Sequence, residues 1–122
     1  MEKERLQEYA ARVTQANRSE LVVIIYEATL ASIEEGKKYL KQGEIEAARH
    51  EIERARSMIA ELMASLDLQY EISHYLRQLY VFAYRELCQG IANRDPEQLN
   101  HATDIFEALL PSFKEVAKQD DS

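Results

Sequence analysis

From Ile45 onward the apolar residues advance by threes and fours: Ile45, Ala48, Ile52, Ala55, Ile59, Leu62 and Leu66. That step keeps every one of them on a single face of an α-helix, so the segment predicts a helix with one buried stripe. The step recurs in Ile72, Leu76, Leu79, Ala83 and Leu87, and again in Leu99, Ala102, Phe106, Leu109, Phe113 and Val116. Ahead of these stripes, Leu21, Val22, Val23, Ile24, Ile25, Tyr26, Ala28, Leu30 and Ala31 surround nearly the whole circumference of a first helix. The punctuation agrees. Asn17 followed by Glu20 reads as a capping box, and Gly43, after Lys37, Lys38 and Lys41, ends the first helix near Gln42. Glu44 and Glu46 open the second helix, and Asp67 is the expected N-cap of a third that reaches about Ala92. Asp95 then caps a fourth helix whose first residue is Pro96, where a missing N–H does no harm. Pro111 lies inside that fourth pattern and predicts a bend near its end.

Four helices joined by short loops must be antiparallel neighbours, so the fold class is all-α: an up-down four-helix bundle. The expected domain is residues 17–118, preceded by an N-terminal arm or short helix at 1–16 and followed by a flexible tail at 119–122. In the arm, Leu6, Tyr9 and Val13 share one helical face. They are candidates for a displaceable lid.

Composition narrows the class. Two prolines and three glycines leave little to break helices. The net charge of −7 offers no basic stripe for phosphates, so no nucleic-acid partner is expected. The longest apolar run, Leu21 to Tyr26, falls far short of the ~20 residues that cross a bilayer, so no membrane insertion is expected. The lone Cys88 has no disulfide partner, and the charged start Met1-Glu2-Lys3-Glu4-Arg5 is no signal core; a cytoplasmic location follows as the expectation.

Catalytic constellations are scarce. A di-iron bundle needs a Glu-x-x-His pair from each of two helices, and Glu71 with His74 supplies one; neither His50 nor His101 has a glutamate three residues before it. His50 lacks the lysine and glycine that accompany a phosphotransfer histidine. No glycine-rich phosphate loop or nucleophile elbow is present. The expectation is a binding protein, not an enzyme, with no cofactor and no metal site.

What is abundant is apolar surface. A bundle helix needs apolar residues at about three positions in seven. The first helix exceeds that, and the third adds Tyr75, Tyr80, Phe82 and Tyr84 to its inward stripe. A surplus of this size predicts a surface for a partner helix, or an interface between copies.

The segments that carry the surplus resemble a known family. Val13-Thr14-Gln15-Ala16-Asn17, then Glu20-Leu21 and Tyr26, are similar to the opening of flagellar secretion chaperones of the FliS type. Ile59-Ala60-Glu61-Leu62 with Ser65-Leu66-Asp67 resembles the end of that family's second long helix. Tyr70-Glu71-Ile72 with Leu76, Leu79-Tyr80, Phe82 and Leu87 resembles its next helix, and Leu109 and Phe113 stand where the family ends on leucine and tryptophan. The likeness spans about residues 9–117. Gln15 and Arg18 replace the common Thr and Pro, and Phe113 replaces the tryptophan, departures that bear on the client more than on the fold.

The resemblance implies a chaperone that binds the disordered C-terminal segment of flagellin, prevents premature polymerisation and delivers it to the flagellar export apparatus. Candidate client-binding residues are Leu21, Ile24, Ile25, Leu62, Leu66, Tyr75, Leu79, Tyr80, Phe82 and Tyr84, a set expected to include some core positions. Two other readings stay open. One is a homo-oligomeric interaction bundle, with weak self-association or a different helical client; the other is a metal-bundle enzyme.

Overall fold

The computed structural model describes residues 18–120, which form four helices: α1 (Arg18–Lys41), α2 (Ile45–Ala64), α3 (Glu71–Ala92) and α4 (Pro96–Asp120). No strand occurs among the described residues. Each helix packs on two neighbours: α1 on α2 and α4, and α3 on α2 and α4. The bundle is therefore a square ring, with α1 and α3 on one diagonal. The expected cap at Asn17 and the arm residues 1–16 lie outside the described residues. So do residues 121 and 122, while the expected tail from 119 begins inside α4, which runs to Asp120.

The helix ends follow from local chemistry. At the close of α1, Gly43 takes φ +78°, its N–H bonds the Leu40 carbonyl at 3.1 Å, and the Glu44 N–H bonds the Tyr39 carbonyl at 2.9 Å. This left-handed stop satisfies carbonyls that the helix leaves open. The end of α3 repeats it, with Arg94 at φ +53° and the Asp95 N–H reaching the Gly90 carbonyl at 2.8 Å. The Asp95 carboxylate then accepts from the N–H groups of Glu97 at 3.0 Å and Gln98 at 3.4 Å, capping α4 as its spacing predicts.

Three expectations need correction. Asp67 does not cap α3; its carboxylate accepts from the Gln69 N–H at 3.1 Å within a turn, and the helix starts four residues later at Glu71. The inward stripe of α3 is accordingly Ser73, Leu76, Tyr80, Ala83 and Leu87, with Ile72 exposed and Leu79 half-buried. On α4 the buried residue of the last turns is Ala117, and Val116 is exposed. Pro111 does not end α4, although the missing N–H removes one bond of the helical ladder.

The core gathers around an aromatic centre. Tyr26 of α1 and Tyr80 of α3, 0% and 2% exposed, join hydroxyl to hydroxyl at 2.5 Å across the diagonal. Tyr26 stands edge-on to Phe106 and Phe113 of α4, with ring centroids 5.1 and 5.2 Å apart, and Tyr80 stacks on Phe106 at 6.0 Å. Above and below, Ile33, Ile52, Ile59, Leu62, Leu87 and Leu99 fill the interior. Val23 and Ile24 are buried as well, apart from this central cluster. Burial is the first cause that raises the Tyr26 and Tyr80 hydroxyl pKa values, so both stay neutral.

Two glycines set helix spacing. A Cβ on Gly36 of α1 would lie 2.7 Å from Ile52 Cδ1, and one on Gly90 of α3 would lie 2.7 Å from Leu99 Cδ2 and 3.2 Å from the Leu99 backbone nitrogen.

The tyrosine pair yields a test. Tyr26→Phe or Tyr80→Phe alone strands one buried hydroxyl and is expected to cost about 1–3 kcal/mol in urea unfolding. The double change removes both polar groups and is expected to cost less than the sum of the two single changes. Strict additivity would show that the hydroxyls do not act as a pair.

Candidate functional site

Among the described residues, six large apolar side chains stay exposed: Leu68 50%, Tyr70 63%, Ile72 61%, Tyr75 56%, Phe82 46% and Val116 45%. Their positions are related. Ile72, Tyr75, Leu79 and Phe82 step by three and four along α3, forming a second apolar stripe beside the inward one. The next residue in that progression is Glu86, which bonds His101 and Gln98 of α4. The stripe therefore runs along the α4 side of α3.

On α4 the matching flank starts at His101 and continues through Ile105, Leu109, Ser112 and Val116. Because the helices are antiparallel, Val116 lies towards the start of α3 and His101 opposite Glu86. Ile105 and Leu109 are half-buried against the core. Together the two flanks make an apolar strip along the α3–α4 seam. The α2–α3 loop, at the end of the bundle where α3 starts, exposes Leu68 and Tyr70, and His74 Nε2 donates to the Leu68 carbonyl at 2.8 Å, tying that loop to α3.

The candidates named from the sequence divide by burial. Tyr75 and Phe82 are exposed on the strip, and Leu79 is half-buried within it. Ile24, Leu62 and Tyr80 are buried; Leu62 and Tyr80 belong to the central cluster. Leu21, Ile25, Leu66 and Tyr84 are half-buried, with Ile25, Leu66 and Tyr84 packed against the core. Tyr84 faces α2, where the Arg56 guanidinium lies 5.7 Å from its ring centre and donates from Nη1 to Cys88 Sγ at 3.1 Å. Leu6, Tyr9 and Val13 fall outside the described residues. Leu68, Tyr70, Ile72 and Val116 were not among the candidates; the three-four spacing of Ile72, Tyr75, Leu79 and Phe82 is the signal that could have found Ile72.

Polar chemistry is confined to the inner end of the strip. His101 Nδ1 donates to Glu86 Oε1 at 2.6 Å, and Gln98 Nε2 donates to Glu86 Oε2 at 3.3 Å and to Gln89 Oε1 at 3.0 Å. The hydrogen bond from His101 holds the Glu86 carboxyl below its ordinary pKa, and the bond to Glu86 raises the His101 imidazole above its own. Among the described residues no group of three or more His, Cys, Asp or Glu side chains is placed to hold a metal ion. No described helix is long and apolar enough to cross a membrane.

Strip and core are separable by mutation. Leu62→Ala empties a buried seam position and is expected to cost about 2–5 kcal/mol. Phe82→Ser is expected to change stability by no more than about 0.5 kcal/mol, as at other surface sites, while lowering the binding of a hydrophobic dye. Thermal melts and dye fluorescence on the two variants check this, and a Phe82→Ser protein as unstable as Leu62→Ala would place the strip in the core.

A family model described as "Flagellar protein FliS" matches residues 1–120. No match is found among curated proteins.

Proposed function

The chain belongs to the FliS family of flagellar export chaperones, and from that premise we propose that it holds the disordered C-terminal segment of flagellin in the cytoplasm. The apolar strip on the α3–α4 seam is the observation that carries this reading. A strip flanked by two helices suits an amphipathic client helix, whose apolar side chains at positions i, i+3 and i+7 would lie along Ile72, Tyr75, Leu79 and Phe82. Flagellin kept in this way would be unable to polymerise early and would be presented to the export apparatus. The interaction is coupled folding and binding: ordering the client costs a few kcal/mol, and burial of apolar area must exceed that cost.

Calorimetry with a flagellin C-terminal peptide tests the assignment. One-to-one binding with a negative heat-capacity change is expected, together with more helix in the mixture than in the separate parts. Phe82→Ser and Tyr75→Ser are expected to weaken it. Absence of binding at tens of micromolar peptide would remove flagellin as the client. Sedimentation of the free protein over a range of concentrations addresses self-association, since exposed apolar residues also suit a second copy.

The same reading gives residues 1–16 the role of a lid. The chain enters α1 at Arg18, at the end of the bundle where the strip opens beside Leu68 and Tyr70. Burying Leu6, Tyr9 and Val13 contributes roughly 1.5–3 kcal/mol each, and ordering half of the arm costs about 1–2 kcal/mol per residue. The ordering cost is at least as large as the gain, so such a cover is held weakly, which suits one that a client displaces. Deleting residues 1–16 is expected to tighten client binding and to increase dye binding and self-association. A truncated protein with unchanged affinity and no self-association would leave the arm without this role.

A further inference from the structure

The polar cluster at the inner end of the strip is in register with it. Phe82 and Glu86 are one turn apart on α3, and Ile105 and His101 are one turn apart on the facing flank of α4. No other layer of facing side chains separates the apolar strip from the Glu86–His101 pair. Both carboxylate oxygens of Glu86 are engaged from α4, one by His101 at 2.6 Å and one by Gln98 at 3.3 Å. Asn93, just past α3, donates to Gln98 Oε1 at 3.3 Å and steadies that amide.

We propose that Glu86 and His101 form a pH-sensitive clasp that closes the α3–α4 seam at the inner end of the strip and so controls how deeply a helix docks there. A client side chain that reaches past the Phe82–Ile105 layer would have to displace the Glu86–His101 pair one turn further on, and the clasp opposes that displacement. The proposal rests on the reading of the strip as a docking surface. The clasp requires an ionised Glu86 and a protonated His101, because a neutral imidazole keeps the hydrogen bond but loses the charge attraction.

The surrounding charges favour that state. Asp104 on α4 and Asp95 in the α3–α4 turn add to Glu86 in stabilising the imidazolium, and Arg85 of α3 stabilises the Glu86 carboxylate. Towards the same end of the bundle α1 carries Lys37 and Glu34, paired with each other at 3.1 Å. A raised imidazole pKa means that the contribution of His101 is fully present below the unfolded value of about 6.5 and is lost as pH rises through the folded value. A lowered carboxyl pKa means that the contribution of Glu86 is present above its ordinary value and is lost as pH falls through the folded value. The clasp is closed between these limits.

The side chain of His101 is 53% exposed and that of Glu86 14%, so the effect is modest. Peptide affinity for the strip is expected to rise about two- to fivefold from about pH 6 to about pH 9, the scale of one exposed ion pair. His101→Gln and Glu86→Gln are expected to hold the higher affinity at both pH values. In the free protein, amides of residues 79–86 are expected to exchange more slowly in the wild type than in His101→Gln at the lower pH, and equally at the higher.

The two readouts separate the ideas. Exchange and affinity profiles identical in wild type and His101→Gln overturn the clasp. A persisting exchange difference in a protein that docks no flagellin C-terminal peptide at any pH supports the clasp and places the failure with the docking surface.

Discussion

Tyr26 and Tyr80 meet across the diagonal of the bundle, and most of the interior is arranged around that contact. α1 and α3 are not neighbours in the ring, so two large side chains must span the centre to join them. A buried hydroxyl without a partner is costly, and each tyrosine satisfies the other only when both helices have one rotation about their axes. The rings then set the place of α4, because Phe106 and Phe113 pack on Tyr26 and Phe106 stacks on Tyr80. Fixing the rotation of α3 has a consequence outside the core. With Tyr80 turned inward, Leu79 and its partners Ile72, Tyr75 and Phe82 must turn towards the α4 flank, where the strip forms.

This explains how much of the molecule was legible in its sequence. The helix count, the ring of antiparallel neighbours, the stop at Gly43 and the cap at Asp95 follow from spacing and turn chemistry. The stripe of α2 was legible because it is apolar on one face alone. On α3 two apolar stripes lie side by side, and hydropathy by itself favours Ile72 and Leu79 over Ser73 and Tyr80. Only the tyrosine pair across the bundle decides between them, and no local pattern reveals a contact 54 residues apart. The misplacement of the α3 start has a similar cause. Asp67 has the chemistry of a cap, and it uses that chemistry to form a turn whose N–H donor is Gln69.

The candidate surface was half legible for the same reason. Tyr75 and Phe82 were recognised because they exceed the needs of a single buried stripe; Tyr80 has the same composition and the opposite role. Tyrosine suits either place, since its ring tolerates burial and its hydroxyl tolerates water, and the presence of a hydroxyl partner decides which. Tyr80 has one in Tyr26, and Tyr75 lies 56% exposed.

An exposed apolar strip is a hazard for a protein that must remain dispersed, and two features of this chain limit the hazard. The net charge of −7 makes copies repel one another at long range, where the short-range attraction of the strip has no influence. The strip is also narrow: at its inner end it meets the Glu86–His101 pair, and its middle is partly filled by half-buried Leu79 and by Ile105 and Leu109, which lean on the core. A second folded copy would find only a line of side chains to cover, whereas a flexible segment can shape itself to that line and bury all of it. On the proposed reading, a partner that folds on contact suits this strip better than one that arrives folded.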